Sequence, residues 1–157
     1  MEQRETLVAI SVPLDGAEQR WRRLYGTPEF IEWLDSALPL LRTTVIGGET
    51  EPYDQVDAIF HEYIIGERMQ FDRRFKKLAR KPDKFVWEFK TLDIRIFGWI
   101  PMRDVFICTF GDMKDEIETR RLYGRYIAQT IYVRNTLDLD EPKYVPCAEY
   151  DDVLSDA

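Results

Sequence analysis

Between residues 85 and 110 the side chains alternate in character, and the gaps between the alternating runs are short. In residues 85–90, Phe85, Trp87 and Phe89 oppose Val86, Glu88 and Lys90. In residues 94–100, Ile94, Ile96 and Ile100 oppose Arg95, Phe97 and Trp99. Residues 104–110 are apolar on both sides. A period of two is the signature of strands, and apolarity on both sides marks a strand covered from above and below. The links at 91–93 and 101–103 are too short for parallel crossovers, which need a dozen or more residues. They predict antiparallel hairpins, and so a three-stranded meander.

Helical periods surround this block. Residues 6–12 read as a first strand stopped by Pro13. Asp15, with Glu18 three residues on, forms a capping box ahead of a short helix through Trp21 and Leu24, ended by Gly26. Thr27, Pro28 and Glu29 start another helix whose apolar side is Phe30, Ile31, Trp33, Leu34 and Leu38, disrupted near Pro39. The clearest helix runs from about residue 52 to 65, with Val56, Ile59, Phe60, Tyr63 and Ile64 on one face and Gly66 as its stop. A last helix spans about 120–137 through Leu122, Tyr126, Thr130, Val133 and Leu137. Beyond it, two prolines and seven acidic residues predict an irregular tail. The expected fold is α+β: a small antiparallel sheet, made of the N-terminal strand and the meander, packed on several helices. Residues 1–137 form one domain, and 138–157 the acidic tail.

Aromatic residues at 13% and apolar residues at 45% of 157 are too many for a disordered chain. No apolar run approaches the ~20 residues a membrane span needs, and residues 1–12 lack a secretory pattern, so no membrane association and a cytoplasmic location are expected. Cys108 sits in an apolar run as a small hydrophobe, and Cys147 lies in the polar tail. Two cysteines make no disulfide framework.

The net charge of −7 is unevenly spread. Residues 1–66 hold 5 basic and 12 acidic side chains, residues 67–137 hold 16 and 10, and residues 138–157 hold 1 and 7. The acidic total disfavours bulk duplex binding, while the basic middle suits a local anion patch. Its densest part is residues 68–84, where Arg73, Arg74, Lys76, Lys77, Arg80, Lys81 and Lys84 lie among Phe71 and Phe75. Cations neutralise phosphates and aromatic rings stack unpaired bases. The same pattern also describes a solvated connector anchored by its phenylalanines.

Catalytic motifs are sparse. His61 is the single histidine, and its HEYII context is not the HExxH metalloprotease pattern. No serine stands in a nucleophile elbow, and His61, Cys108 and Cys147 have no metal-ligand spacing. Gly47 and Gly48 are not part of a phosphate loop. No cofactor is expected. Arg95, within an apolar strand, either grips a phosphate or pairs with Glu88 or Asp93, because a guanidinium there is costly without a partner or solvent.

The order FKKL, FVWEFK, DIRIFGW and RDVFICTFGDMK, followed by a helix, resembles the RelE/ParE/HigB toxin superfamily over roughly residues 75–137. The likeness extends to phage- and prophage-encoded members of that group. It implies a twisted sheet on helices and metal-independent cleavage of messenger RNA by 2′-hydroxyl attack, with toxin–antitoxin pairing. By position, Lys90 matches the first-strand arginine and Arg95 the second-strand arginine. Lys114 matches the basic residue after the third strand, and Tyr123 the late aromatic one. Arg73, Arg74, Lys76, Lys77 and Lys81 would then hold nucleic acid. The chain departs from the family in its acidity, its length, the nearly neutral residues 111–115, and Glu88, which stands where active ribonucleases carry lysine. Two functions follow as expectations. One is a toxin acting on RNA or the ribosome. The other is a non-enzymatic phage module that binds a protein partner such as an antitoxin, a host protein or a phage assembly component.

Overall fold

The structure, a computed structural model, describes residues 7–70, 73–78, 85–139 and 142–157. The expected meander is present as β4 (Trp87–Lys90), β5 (Ile94–Met102) and β6 (Val105–Met113), paired antiparallel in sequence order. It belongs to a larger sheet. β1 (Val8–Ala9), β2 (Arg23–Gly26) and β3 (Phe75–Lys77) complete six strands in the order β1-β2-β6-β5-β4-β3. β2 runs parallel to β6 and every other pairing is antiparallel, so the sheet is mixed rather than small and antiparallel.

β2 occupies residues expected to be helical. Asp15 N–H does donate to Glu18 Oε1 and Glu18 N–H to Asp15 O, each at 2.9 Å, but they close a turn rather than start a helix. The strand's inward residues are Leu24 and Gly26, in phase with buried Arg22 just before it. A buried arginine hides the period of two from a hydropathy reading.

The two sides of the sheet carry different helices. α1 (Pro28–Glu32) is capped by Thr27, whose Oγ1 accepts from Phe30 N–H at 3.2 Å, and it continues through a π turn and a 3-10 turn to Leu40. α2 (Pro52–Ile64) buries Val56, Ile59, Phe60, Tyr63 and Ile64, and ends at Gly66, whose φ of +88° suits glycine. Both feed the main core cluster, which also holds Phe75, Phe89, Ile96 and Phe106 of the sheet. The opposite face takes α3 (Lys114–Thr119), which the sequence pattern missed, and α4 (Tyr123–Thr136). There Phe97 meets Ile117 and Leu122, while Trp99 and Ile107 meet Leu137.

Residues 142–157, expected as an irregular tail, include α5 (Tyr150–Val153) and bury Tyr150, Val153 and Leu154 in the main core. Among the described residues no helix is long and apolar enough to cross a membrane. Both cysteines are free, and Cys108 is buried as expected.

Candidate functional site

The α4 face of the sheet is apolar at its centre and charged towards the β3 edge. The strand register sets two rows there. Lys76, Glu88, Phe97 and Phe110 are successive cross-strand partners from β3 to β6, and Lys90, Arg95 and Asp112 form the next row. Residues directly opposite in neighbouring strands lie within side-chain reach. Lys90 and Arg95 are therefore neighbours by register, as are Lys76 and Glu88.

α3 and the first turns of α4 rise over this corner and leave a cavity of about 580 Å³. Lys90, Arg95, Lys114 and Tyr123 all line it, together with Lys76 and Lys77. The four residues proposed for chemistry, drawn from two strands and two helices, thus share one concavity. Among the nucleic-acid candidates, Arg74 is elsewhere: its Nη2 pairs with Glu62 Oε2 of α2 at 2.5 Å. Arg73 is exposed in the turn before β3 and does not line the cavity. Lys81, with Phe71, Arg80 and Lys84, lies outside the described residues.

Arg95 is only 8% exposed. Its Nη1 donates to the Thr91 and Ile94 carbonyls at 2.6 and 3.0 Å, while its Nε has no hydrogen-bond partner among the described residues. The anticipated pair with Asp93 does not form. Asp93 Oδ1 accepts from Thr44 Oγ1 and Oδ2 from Gln55 Nε2, at 3.0 and 2.7 Å. Those bonds fix the β4–β5 turn, and the Asp93 carbonyl accepts from Lys114 N–H at 2.6 Å. The turn thereby sets the start of α3 at the cavity edge. Asp112, opposite Arg95, is held by Tyr126, whose hydroxyl donates to Oδ2 at 2.7 Å.

Two carboxylates line the same cavity, Glu88 on its floor and Glu118 on exposed α3. Glu88, treated above as a departure from the family, is the residue that sequence reasoning undervalued. It alternates in phase with Lys90 on one strand, and that spacing was the available signal. Glu88 is 1% exposed and its Oε2 has no hydrogen-bond partner among the described residues. Burial pushes its carboxyl up to about 7, against the opposing pull of Arg95, Lys90 and Lys76 and of the Tyr123 hydroxyl. Burial likewise pushes Tyr123 up to about 12, with the Glu88 charge adding to the rise. Tyr123 therefore stays a neutral proton donor at physiological pH. Its ring meets Phe97 edge-on with centroids 5.6 Å apart. Lys77 is lowered by burial and lies over the Phe85 ring at 5.0 Å.

Five cationic and two carboxylate side chains line one cavity, an excess of positive groups. Among the described residues, no group of three His, Cys, Asp or Glu side chains converges to hold a metal ion. His61 lies on α2, which packs on the other face of the sheet, with its Nε2 2.9 Å from Glu18 Oε1. The chain matches no family model, no curated protein and no solved structure.

Proposed function

We propose that this is a RelE/ParE-like protein that holds single-stranded RNA by its backbone in the cavity beside β3 and cleaves it without a metal. The observation that carries this is the convergence of Lys90, Arg95, Lys114 and Tyr123 on one cationic concavity. A site of about 580 Å³ admits one nucleotide and its flanking phosphates, but not a duplex. Lys90, Arg95 and Lys114 stabilise charge on the phosphorane. The 2′-oxygen attacks the adjacent phosphorus and the bond to the 5′-oxygen breaks, leaving a 2′,3′-cyclic phosphate and a 5′-hydroxyl. Glu118, exposed on the rim, takes the 2′-hydroxyl proton, and Tyr123 donates one to the departing 5′-oxygen.

Induced expression in a bacterial host tests this. Growth arrest with shortened messages is expected, and Arg95→Ala should relieve both, with cleavage in vitro falling about 10²-fold or more. Normal growth with intact messages at high expression would refute it.

A second cavity supports the alternative, a module that binds a protein. It measures about 630 Å³ and is lined largely by apolar side chains, including Tyr25, Met102, Val105, Ile107, Leu139 and Tyr144. A stoichiometric partner lost on Met102→Asp, in cells that grow normally, would favour that reading over RNA cleavage.

A further inference from the structure

We propose that the cavity beside β3 takes up an oxyanion of the phosphate or sulfate class together with a proton, and that Glu88 receives the proton. This rests on the cavity being an oxyanion site, and deepens that reading by naming what controls its occupancy.

Glu88 lies on the cavity floor, in the strand row between Lys76 and Phe97. At 1% exposure, with Oε2 sealed from solvent, it forms the floor while presenting almost no surface to a ligand in the cavity. It therefore acts on an anion through charge rather than contact. Ionised, it cancels part of the field of the surrounding cations; protonated, it leaves that field whole. An anion above it makes its own ionisation harder still. Binding of anion and proton are thus linked, each favouring the other.

The groups around Glu88 fix the sign. Lys76 faces it from β3, Lys90 from β4 and Arg95 from β5, while Tyr123 reaches it from α4. Lys114 and Glu118 of α3 line the same cavity, as does Lys77 of β3. The lysines and Arg95 bring the positive groups of the cavity, Tyr123 is pushed up to about 12 by burial, and Glu118 is exposed on α3. Asp112 on β6 faces Arg95, with its carboxylate engaged by Tyr126. Glu88 is the buried cavity carboxyl, and burial pushes it up to about 7.

Calorimetric titration in two buffers of different ionisation enthalpy tests the coupling. One ligand is sulfate, which does not titrate in this range. The other is a short single-stranded oligodeoxyribonucleotide, which lacks the 2′-hydroxyl and is not cut. The wild-type protein should take up a measurable fraction of a proton per anion at pH 7.5. Its affinity should fall by up to about tenfold per pH unit above neutrality. Glu88→Gln should bind with no uptake and a flat pH profile. Tyr123→Phe, which removes a hydrogen bond favouring ionised Glu88, should move the uptake window to higher pH, and it serves if the glutamine variant does not fold. Binding of both anions without proton uptake, or equal uptake in Glu88→Gln, overturns the coupling and leaves the RNA reading standing. Sulfate binding with uptake but no oligonucleotide binding upholds the coupling and counts against RNA. Binding of neither anion overturns both.

Discussion

Arg22 Nη2 donates to Asp156 Oδ1 at 2.7 Å, joining the residue before β2 to the penultimate residue of the chain. The guanidinium is wholly buried, and its other hydrogens go to the carbonyls of Tyr63, Glu67 and Ser155 and to the Tyr150 hydroxyl. One side chain thus ties β2, the end of α2 and the C-terminal segment together. Arg22→Ala leaves three carbonyls without this donor and removes one of the donors to the Asp156 carboxylate, and should cost about 3–5 kcal/mol in urea unfolding. Asp156→Asn keeps the shape and one acceptor at a part-exposed position, so about 1 kcal/mol is expected.

Acid should loosen the same joint. Burial raises the Asp156 carboxyl, but hydrogen bonds from Arg68 and Tyr150 and the charge of Arg22 outweigh it and hold it below the ordinary aspartate value. A depressed folded-state pKa gives stability that is present above the unfolded value and lost as pH falls through the folded one. Urea melts followed by tryptophan fluorescence should therefore show the wild type losing stability as pH falls below the ordinary aspartate value, with a smaller acid-dependent loss in Asp156→Asn.

Glu88 works in the opposite sense. Its folded-state carboxyl is raised to about 7, so burial of the charged form costs stability as pH rises from the unfolded value, near 4.5, through the folded one. Glu88→Gln should accordingly be more stabilising at pH 8 than at pH 4, by about 3 kcal/mol, from a rise of roughly two and a half units at ~1.4 kcal/mol each. Equal effects of the substitution at both pH values in urea melts would show that the carboxyl ionises normally.

How much was readable from sequence follows from what each residue does. The meander and α2 were legible because Phe89, Ile94, Ile96, Val56 and Ile59 bury apolar side chains at the period of their element. β2 was not, because its buried side continues from the preceding Arg22, whose partners come from residues 41 to 134 positions away. The C-terminal segment failed for a similar reason. Its acids look solvated, yet Asp156 faces Arg22 and Arg68 while Tyr150, Val153 and Leu154 turn inward. At the cavity, Arg95 was legible as a cation in an apolar strand, and Lys90, named through the resemblance, shares its row by strand phase. Tyr123 and Lys114 came from the resemblance alone, since no local pattern tells which residues of α3 and α4 overhang β4. The environment that raises Glu88 exists only once α4 has covered it.

The bulge in β5–β6 gives a test of how α4 is seated. Phe97 pairs with Phe110 and Gly98 with Cys108, so Thr109 is the extra residue. Its Oγ1 donates to the Phe97 carbonyl at 3.0 Å and meets Thr130 Oγ1 of α4 at 2.7 Å. A Cβ on Gly98 would sit 2.0 Å from the Ile107 carbonyl oxygen, so Gly98→Ala should not reach the native state. Thr109→Val keeps the volume but leaves the Phe97 carbonyl without that donor and Thr130 unpaired. A loss of about 1–3 kcal/mol in urea melts is expected. Amide exchange should rise along α4 more than along α2, because Thr130 is a buried polar contact between α4 and the sheet.

Histidine titration reads out the opposite side of the sheet. The Glu18 carboxylate, 2.9 Å from His61 Nε2, raises the imidazole above its ordinary value, and is itself lowered by the Asp15 N–H and by His61. Nearby Asp15 and Glu67 add to the rise. A raised histidine contributes stability that is complete below pH 6.5 and disappears as pH climbs through the folded value. Both groups meet solvent, so salt should weaken the effect. The His61 ring protons, the only histidine signals in the chain, should therefore titrate above 6.5 at low salt and move down as salt is added. In Glu18→Gln they should fall towards the ordinary histidine value. A midpoint unchanged by that substitution would mean that Glu18 does not hold the ring in solution.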